Sequence, residues 1–242
     1  MTSEIQSLSE TYDSTYRGLL IHAMPSLHEY CMSLIQSLPL PANARVLDLG
    51  AGEGAFSLRL LDAGYEVNAA ELDPQRFGVD APCQNIDLNL DFHDKWNERF
   101  QLVVAIEILE HLHNPRHFIR NCLSMLAPEG FLLISSPNVE SWFSRIRFLR
   151  DGRLLWFEEG DYHGYGHLTP IFSWQIRQIC RELGAELIQV SNTKNSLLRK
   201  RLGESLWSVL RNKSFYLSML YPLMRTNKDG ENCIYLIKKG HP

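Results

Sequence analysis

A glycine-rich stretch that carries two acidic residues is the part of the sequence that most directly indicates chemistry. The stretch VLDLGAGEGAF reads as an apolar strand followed by a tight loop. Gly50, Gly52 and Ala55 match the G-x-G-x-x-[G/A] pattern of dinucleotide-binding loops, in which glycine lets a cofactor approach the backbone closely. Asp48 and Glu53, however, would repel a pyrophosphate. The two carboxylates therefore favour a ligand that has a cationic end and no phosphate.

Two further carboxylates are placed where they could bind the ribose and the adenine of an adenosine-containing cofactor. Glu71, in the stretch NAAEL, lies about 20 residues after the glycines, and a carboxylate there can accept hydrogen bonds from both ribose hydroxyls. Asp87, in NIDL, follows a short third strand and could accept the adenine amino group. A turn or helix-start Asp is the alternative interpretation of Asp87.

The stretch EILEHL combines two carboxylates with an imidazole. Glu107, Glu110 and His111 are spaced so that on a helix they would share one face. Such oxygen and nitrogen donors suit Mg²⁺, Mn²⁺ or a similar ion, which would orient a substrate hydroxyl and lower its pKa. Without a metal, His111, or His163 or His167 in YHGYGHLTP, could act as the general base, because imidazole titrates near neutral pH. A structural polar role is the alternative for each histidine.

Alternating strand and helix patterns must position these residues. The apolar runs ARVLDLG, YEVNAAEL, CQNIDL, FQLVVAIE, FLLISSPN, AELIQVSN and ENCIYLIKKG predict strands, with helical patterns between most of them. This alternation predicts an α/β fold with a mostly parallel, buried sheet and right-handed crossovers. We expect residues 1–20 to be loosely structured. We expect the helix in TPIFSWQIRQICRELG to begin at Thr169 and Pro170.

Two segments depart from the alternation and are interpreted as insertions into a single domain of residues 1–242. Residues 138–168 are rich in aromatic side chains and glycine, which predicts a wall or lid of an acceptor pocket. Residues 193–230 place leucines at helical spacing among basic residues. This segment is either a helix that covers the sheet edge or a surface that contacts an anionic membrane or a partner.

The overall composition narrows the class of protein. A net charge of −4 argues against a general nucleic-acid binder. The five cysteines are scattered, which predicts free thiols in a reducing compartment. The polar, acidic start lacks the pattern of a signal peptide, and no apolar run reaches the roughly 18 residues of a spanning helix. We therefore expect a cytoplasmic protein, with peripheral contact to the inner face of a membrane as the alternative.

The motifs VLDLGAGEG, AAELD, NIDL, FQLVVAIEILEHL and APEGFLLISSPN, in this order and spacing, resemble those of class I S-adenosylmethionine-dependent methyltransferases. The resemblance covers residues 28–190, and the last strand rejoins it at 231–238. It implies a doubly wound, Rossmann-like sheet of seven strands, mostly parallel, with an antiparallel last strand. It also implies S-adenosylmethionine as the cofactor, bound across the carboxyl ends of the first strands.

The same resemblance implies roles for residues within the motifs. The glycines and Asp48 would line the methionine end, Glu71 would take the ribose, and residues 87 and 88 would flank the adenine. The residues AIE would form the floor beside the transferable methyl group. The expected cofactor contacts are, in chain order, Asp48, Gly50, Ala51, Gly52, Gly54, Glu71, Leu72, Asp87, Leu88, Ile106 and Glu107.

A narrower resemblance concerns the motif E-x-x-E-H. Quinone-biosynthesis O-methyltransferases and small-RNA 2′-O-methyltransferases carry it, and the latter use a later histidine as a further metal ligand. This resemblance implies an alternative metal set of Glu107, Glu110, His111 and His167, although many metal-free methyltransferases carry E-x-L-E-H at the same point.

The predicted reaction is methyl transfer to an oxygen of a small-molecule acceptor, with nitrogen and carbon as alternatives. A metal-dependent 2′-O-methyltransferase acting on RNA is one competing hypothesis. An NAD(P)-dependent oxidoreductase is the other.

Overall fold

Strands and helices alternate along the computed structural model, which describes residues 15–193 and 230–240. The strands are β1 (Thr15–Tyr16), β2 (Leu19–Leu20), β3 (Arg45–Leu49), β4 (Glu66–Glu71), β5 (Cys83–Asn85), β6 (Phe100–Ala105), β7 (Leu126–Pro137), β8 (Glu186–Asn192) and β9 (Asn232–Lys238). The α-helices are α1 (Leu27–Gln36), α2 (Ala55–Asp62), α3 (Pro115–Met125), α4 (Trp142–Asp151), α5 (Glu159–Tyr165) and α6 (Ser173–Glu182). Two short 3₁₀ turns lie at Pro74–Arg76 and Leu109–His111.

Seven of the strands form one sheet, in the order β5-β4-β3-β6-β7-β9-β8. The pairs from β5 to β7 are parallel, and β9 runs antiparallel to both β7 and β8. The predicted α/β sheet with an antiparallel last strand is thus confirmed. Because β3 has β4 on one side and β6 on the other, a crevice opens at its carboxyl end, where sheets of this type bind ligands.

The core lies on both faces of the sheet. Leu47 and Leu49 of β3 pack into one layer with α3, and Val46 packs into the other with α1 and α2. These three side chains are fully buried, and the burial of each stabilises the folded state by about 1.5–3 kcal/mol. Burial on both faces explains the nearly continuous apolar run of this strand. Asp48 is the polar exception within it.

A β-hairpin precedes the first helix. Thr15 pairs with Leu20 across a two-residue turn, in which Arg17 and Gly18 adopt left-handed φ angles of 48° and 88°. The expectation of a loose structure over residues 1–20 is therefore wrong for residues 15–20. Residues 1–14 lie outside the described part of the chain.

Helix α6 begins at Ser173, so its predicted start at Thr169 and Pro170 is wrong. The Ser173 amide donates to Glu140 Oε2 at 2.9 Å, and the Ser173 hydroxyl contacts the same oxygen. The Thr169 hydroxyl instead donates to the carbonyl of Leu112 at 2.7 Å. Thr169, which the sequence suggests as a helix cap, thus forms a tertiary hydrogen bond instead.

The two predicted insertions differ in what the structure describes. Residues 138–168 contain α4 and α5 after the end of β7. Residues 194–229 of the predicted basic amphipathic segment lie outside the described residues. No helix in the described ranges, 15–193 and 230–240, is long and apolar enough to cross a membrane.

Candidate active site

A cavity of about 260 Å³ opens at the carboxyl ends of β3, β4 and β6. It brings together residues from the glycine loop, from the stretch before α1 and from EILEHL. Its lining consists of Leu20, His22, Ala23, His28, Asp48, Gly50, Ala51, Gly52, Ala55, Phe56, Glu71, Arg76, Ile106, Glu107, Ile108 and His111.

Gly50 and Gly52 form the wall of the cavity with left-handed φ angles of 71° and 57°. A Cβ atom on Gly50 would lie 2.1 Å from Cδ1 of Ile108, so the close approach of these two loops requires glycine. Gly54 precedes α2 at φ 93°, is packed against Val79 and is not among the residues that line the cavity, so its contact with the cofactor stays a prediction.

Asp48 is buried beneath this loop. Its Oδ2 accepts a hydrogen bond from the Ser57 hydroxyl at 2.6 Å. Burial raises the pKa of Asp48 to about 6, the Ser57 hydrogen bond opposes this shift, and the charge of Glu71 adds to it. A cationic ligand in the cavity would favour the ionised form of Asp48.

Glu71 ends β4 with both carboxylate oxygens directed at backbone amides. Its Oε2 accepts from the Gly52 amide and its Oε1 from the Leu72 amide, each at 2.8 Å. These bonds hold the carboxylate at the cavity wall. The Leu72 side chain itself is 66% exposed.

Asp87 and Leu88 lie beyond the cavity lining. The exposed Asp87 accepts from the Asn89 amide at 2.9 Å, which is an Asx turn, and Leu88 packs against the core. The structure therefore favours the turn interpretation of Asp87, and its contact with adenine stays a prediction.

Glu53 does not face the cavity, contrary to the expectation that its charge acts on the ligand. Its Oε2 accepts from the Leu20 amide at 2.9 Å, and its Oε1 lies 3.5 Å from Arg76. The Leu20 amide of the β1–β2 hairpin thus holds the Glu53 side chain away from the cavity. The carboxylates that do line the cavity are Asp48, Glu71 and Glu107.

The segment that leads into α1 contributes cavity residues that the sequence analysis missed. His22 lies near Gly52, and His28 packs edge-on against Phe56 with ring centroids 4.9 Å apart. Burial, aided by Arg59, lowers the pKa of His28 to about 4, and its Nδ1 has no hydrogen-bond partner. The sequence carries a weak signal for this role, a histidine at the start of an amphipathic helix.

Glu107 lies at the other end of the cavity, two residues after the end of β6. Its φ angle is 56°, an uncommon value for a residue with a side chain. Its amide donates to the Ser135 hydroxyl at 3.0 Å, and its Oε1 accepts from Asn232 Nδ2 at 2.7 Å. Burial raises the pKa of Glu107 to about 7, although the hydrogen bonds from Asn232 and Ser135 oppose the shift.

Glu110, His111 and His167 converge beside Glu107. One potential ligand atom from each lies within 4.8 Å of the others. Backbone bonds bring them together, because the amides of Leu168 and Thr169 both donate to the carbonyl of Glu110, at 2.8 and 3.0 Å. Within EILEHL, Leu109–His111 forms a 3₁₀ turn rather than part of an α-helix, and Glu107 is not part of this group of three.

The chemistry of this cluster suits a divalent cation. Both carboxylate oxygens of Glu110 are buried and lack a hydrogen-bond partner. Nδ1 of His111 contacts the Gly166 carbonyl at 3.2 Å, and Nδ1 of His167 contacts the Trp156 carbonyl at 2.7 Å. A carbonyl accepts only from a protonated nitrogen, so each Nε2 is left as an acceptor that can bind a metal or a proton.

Burial also governs the protonation of the cluster. It raises the pKa of Glu110 well above its usual range, and the charge of Glu107 adds to the rise. Burial lowers the pKa of His111, while the Gly166 carbonyl opposes this change. Both shifts favour the uncharged forms of the two side chains, whereas a bound cation would favour the ionised carboxylate.

His163 stands apart from the other two candidate histidines. It is exposed on α5 and contacts Tyr162, with ring centroids 5.2 Å apart. The aromatic insertion reaches the cluster mainly through Phe157 and Tyr165, whose rings lie 5.6 and 5.7 Å from that of His167. His167 itself belongs to the insertion, and its ring lies 5.0 Å from that of His111, so the insertion supplies one member of the cluster. Its role as an acceptor-pocket wall stays a prediction.

Comparison with known sequences identifies the domain type. Residues 21–190 match the family described as methyltransferase domain. Ubiquinone biosynthesis O-methyltransferase from Xanthomonas axonopodis pv. citri is 32% identical over 131 residues, 49% of this chain and 52% of the relative. The protein of the same name from Bradyrhizobium diazoefficiens is 28% identical, over 56% of this chain and 57% of the relative. The chain spans about half the length of the curated relatives it matches.

Solved structures share the fold. A SAM-dependent methyltransferase from Archaeoglobus fulgidus aligns with a TM-score of 0.60 and 18% identity, covering 88% of this chain and 94% of that one. Phosphoethanolamine N-methyltransferase 2 from Haemonchus contortus, in complex with S-adenosyl-L-methionine, aligns with a TM-score of 0.56 and 16% identity, covering 93% and 55%.

Proposed function

Since the chain belongs to the methyltransferase-domain family, and thereby to the class I S-adenosylmethionine-dependent methyltransferases, we propose that it transfers the cofactor's methyl group to an oxygen of a small-molecule acceptor. One observation carries the proposal: Asp48 and Gly50 line the same cavity as His111, whose cluster can manage a hydroxyl proton. Donor and acceptor would therefore meet within one cavity.

The donor end of the cavity suits a cationic, phosphate-free cofactor. S-adenosylmethionine supplies a methyl group on an already activated sulfonium leaving group. Asp48, Glu71 and Glu107 line the wall with acidic groups, and the glycine loop permits close approach of the ligand to the backbone. The main contribution of the protein is then to align the two reactants and exclude water.

The cluster of Glu110, His111 and His167 would remove the proton from the acceptor hydroxyl. Nε2 of either histidine can accept it, since Nδ1 of each is engaged by a backbone carbonyl. As the alternative, we propose that Glu110, His111 and His167 hold a divalent ion, in which case Nε2 of both histidines binds the ion instead of the proton. Such an ion would lower the pKa of an acceptor hydroxyl.

Oxygen is the proposed acceptor atom on two grounds. The two relatives described above are named O-methyltransferases. A base or metal cluster beside the cofactor cavity is also what a hydroxyl needs, because its proton must leave as the methyl group arrives. The acidic net charge of −4 supports a small molecule over RNA.

Calorimetry and product analysis test this function. We expect the protein to bind S-adenosylhomocysteine and not NAD, and the reverse result would favour an oxidoreductase. Incubation with methyl-labelled S-adenosylmethionine and a source-cell extract should then label a small molecule on oxygen. Label in the RNA fraction, or on nitrogen or carbon, would contradict the proposed acceptor. An Asp48→Asn variant serves as the matched control for unspecific labelling.

A further inference from the structure

Asn232, the first residue of β9, reaches across the sheet to the cavity. It is fully buried, and its Nδ2 donates to Oε1 of Glu107 at 2.7 Å. Its main chain is held on the other side, because its amide donates to the Thr193 hydroxyl and its carbonyl accepts from the Thr193 amide, each at 3.2 Å. The side-chain amide is therefore presented to Glu107 from a fixed backbone.

Glu107 depends on this partner because it is partly buried and acidic. A buried carboxylate is costly unless it accepts hydrogen bonds, and an amide donor can supply one without adding charge. Ser135 gives weaker support, since its hydroxyl lies 3.4 Å from the same Oε1. Asn232 thus supplies the shorter of the two side-chain hydrogen bonds to Glu107.

The hydrogen bond from Asn232 also fixes the position of the Glu107 carboxylate. Glu107 lines the cavity with Asp48 and Gly50, yet it is outside the group formed by Glu110, His111 and His167. Since Asn232 occupies Oε1, the carboxylate stays at the cavity wall. The left-handed backbone of Glu107, at φ 56°, gives the side chain this direction.

We propose that Asn232 is a positioning residue that holds the Glu107 carboxylate at the wall of the cofactor cavity, where its charge favours the sulfonium cofactor over the uncharged thioether product. The proposal rests on the proposed function, since it assumes that this cavity binds S-adenosylmethionine. Loss of the Asn232 amide frees the Glu107 side chain to turn away, which removes negative charge from the wall.

The test compares calorimetric dissociation constants for S-adenosylmethionine and S-adenosylhomocysteine, which differ in the charge at sulfur. In Asn232→Leu we expect the affinity for S-adenosylmethionine to fall about five- to tenfold more than that for S-adenosylhomocysteine. Asn192→Leu is the matched control, because Asn192 Nδ2 contacts the Asn232 carbonyl and Cys233 Sγ but not Glu107. In this control the ratio of the two affinities should stay unchanged.

A double-mutant cycle separates positioning from structural support. In a Glu107→Gln background, Asn232→Leu should not change the affinity ratio further, because the charge it acts through is gone. If Asn232→Leu fails to fold, Asn232→Ser replaces it, since serine keeps a polar group but is too short to reach Glu107.

Equal losses for both ligands, or no loss, would overturn the positioning role while leaving the proposed function intact. If the unaltered protein binds neither ligand, the proposed function itself fails.

Discussion

The two ends of the cavity, which we propose bind the methyl donor and the methyl acceptor, are built in different ways. The donor end takes Asp48, Gly50 and Gly52 from one loop and Glu71 from the adjacent strand. The acceptor end joins EILEHL to His167 of the insertion and to Asn232, which lies 125 residues from Glu107 in the sequence. The donor end can therefore be recognised from a short motif, while the acceptor end exists only after the chain has folded.

The two ends also differ in how their polar groups are paired. At the donor end Asp48 accepts from Ser57, and Glu71 accepts from two backbone amides. At the acceptor end both oxygens of Glu110 are buried without a hydrogen-bond partner. A buried polar atom without a partner is costly, so the acceptor end is the one that most requires a bound ligand or ion.

The largest expected effect concerns the donor end. Replacing Asp48 with Asn should weaken S-adenosylmethionine binding about 100-fold, as expected for the loss of roughly 3 kcal/mol of charge interaction. Isothermal calorimetry measures this loss. Unchanged affinity would contradict the assignment of Asp48 to the cofactor.

The same variant should be more stable than the unaltered protein at pH 8. The pKa of Asp48 is raised to about 6 from 3.8. The folded chain thus binds the proton more tightly, and its stability falls as the pH rises through this window, by about 3 kcal/mol in total. Asn carries no charge, so its advantage in melting temperature should be present at pH 8 and shrink toward pH 4. A constant difference would contradict this account.

A divalent ion is expected to bind at the proposed acceptor end. Mn²⁺ at millimolar concentration should raise the melting temperature by about 5 °C, and Glu110→Gln or His167→Ala should abolish the shift. His163→Ala should retain it, because His163 is exposed and outside the cluster. If EDTA leaves turnover intact while His167→Ala reduces it, the histidine acts as a base without a metal.

A glycine substitution tests the packing between the two ends. Gly50→Ala should destabilise the fold by about 1 kcal/mol more than Gly184→Ala in urea unfolding. Both glycines have similar φ angles, 71° and 67°, but only at Gly50 would a Cβ meet another side chain, Cδ1 of Ile108 at 2.1 Å. Equal losses would mean that Ile108 moves aside at little cost.

The smallest expected effect concerns the hairpin beside the donor end. Glu53→Gln weakens the contacts to the Leu20 amide and Arg76, so the cofactor should dissociate about two- to threefold faster in stopped-flow measurements. Glu29→Gln, which disrupts an exposed ion pair with Arg59 elsewhere, is the matched control. An identical rate in both variants would show that the hairpin does not restrain the cofactor.

Much of the fold could be predicted because its signals are local. The apolar run before Asp48 and the glycines after it indicate a buried strand and a tight loop, whatever the rest of the chain does. The alternation of such runs with helical patterns restricts the topology to a parallel sheet, since parallel strands need a crossover between them. The start of α6 could not be predicted from the sequence, because the Thr169 hydroxyl donates to the carbonyl of Leu112, which is distant in the sequence, instead of capping the helix.

The sequence by itself determined the fold class, the cofactor loop and the presence of candidate donors and bases. Only the tertiary structure decided how these side chains are paired. It turned Glu53 toward Leu20, paired Glu107 with Asn232, and joined His167 to His111. Residue type and spacing fix what a side chain can do within one turn or strand, whereas its burial and partners depend on segments that meet only when the sheet has formed.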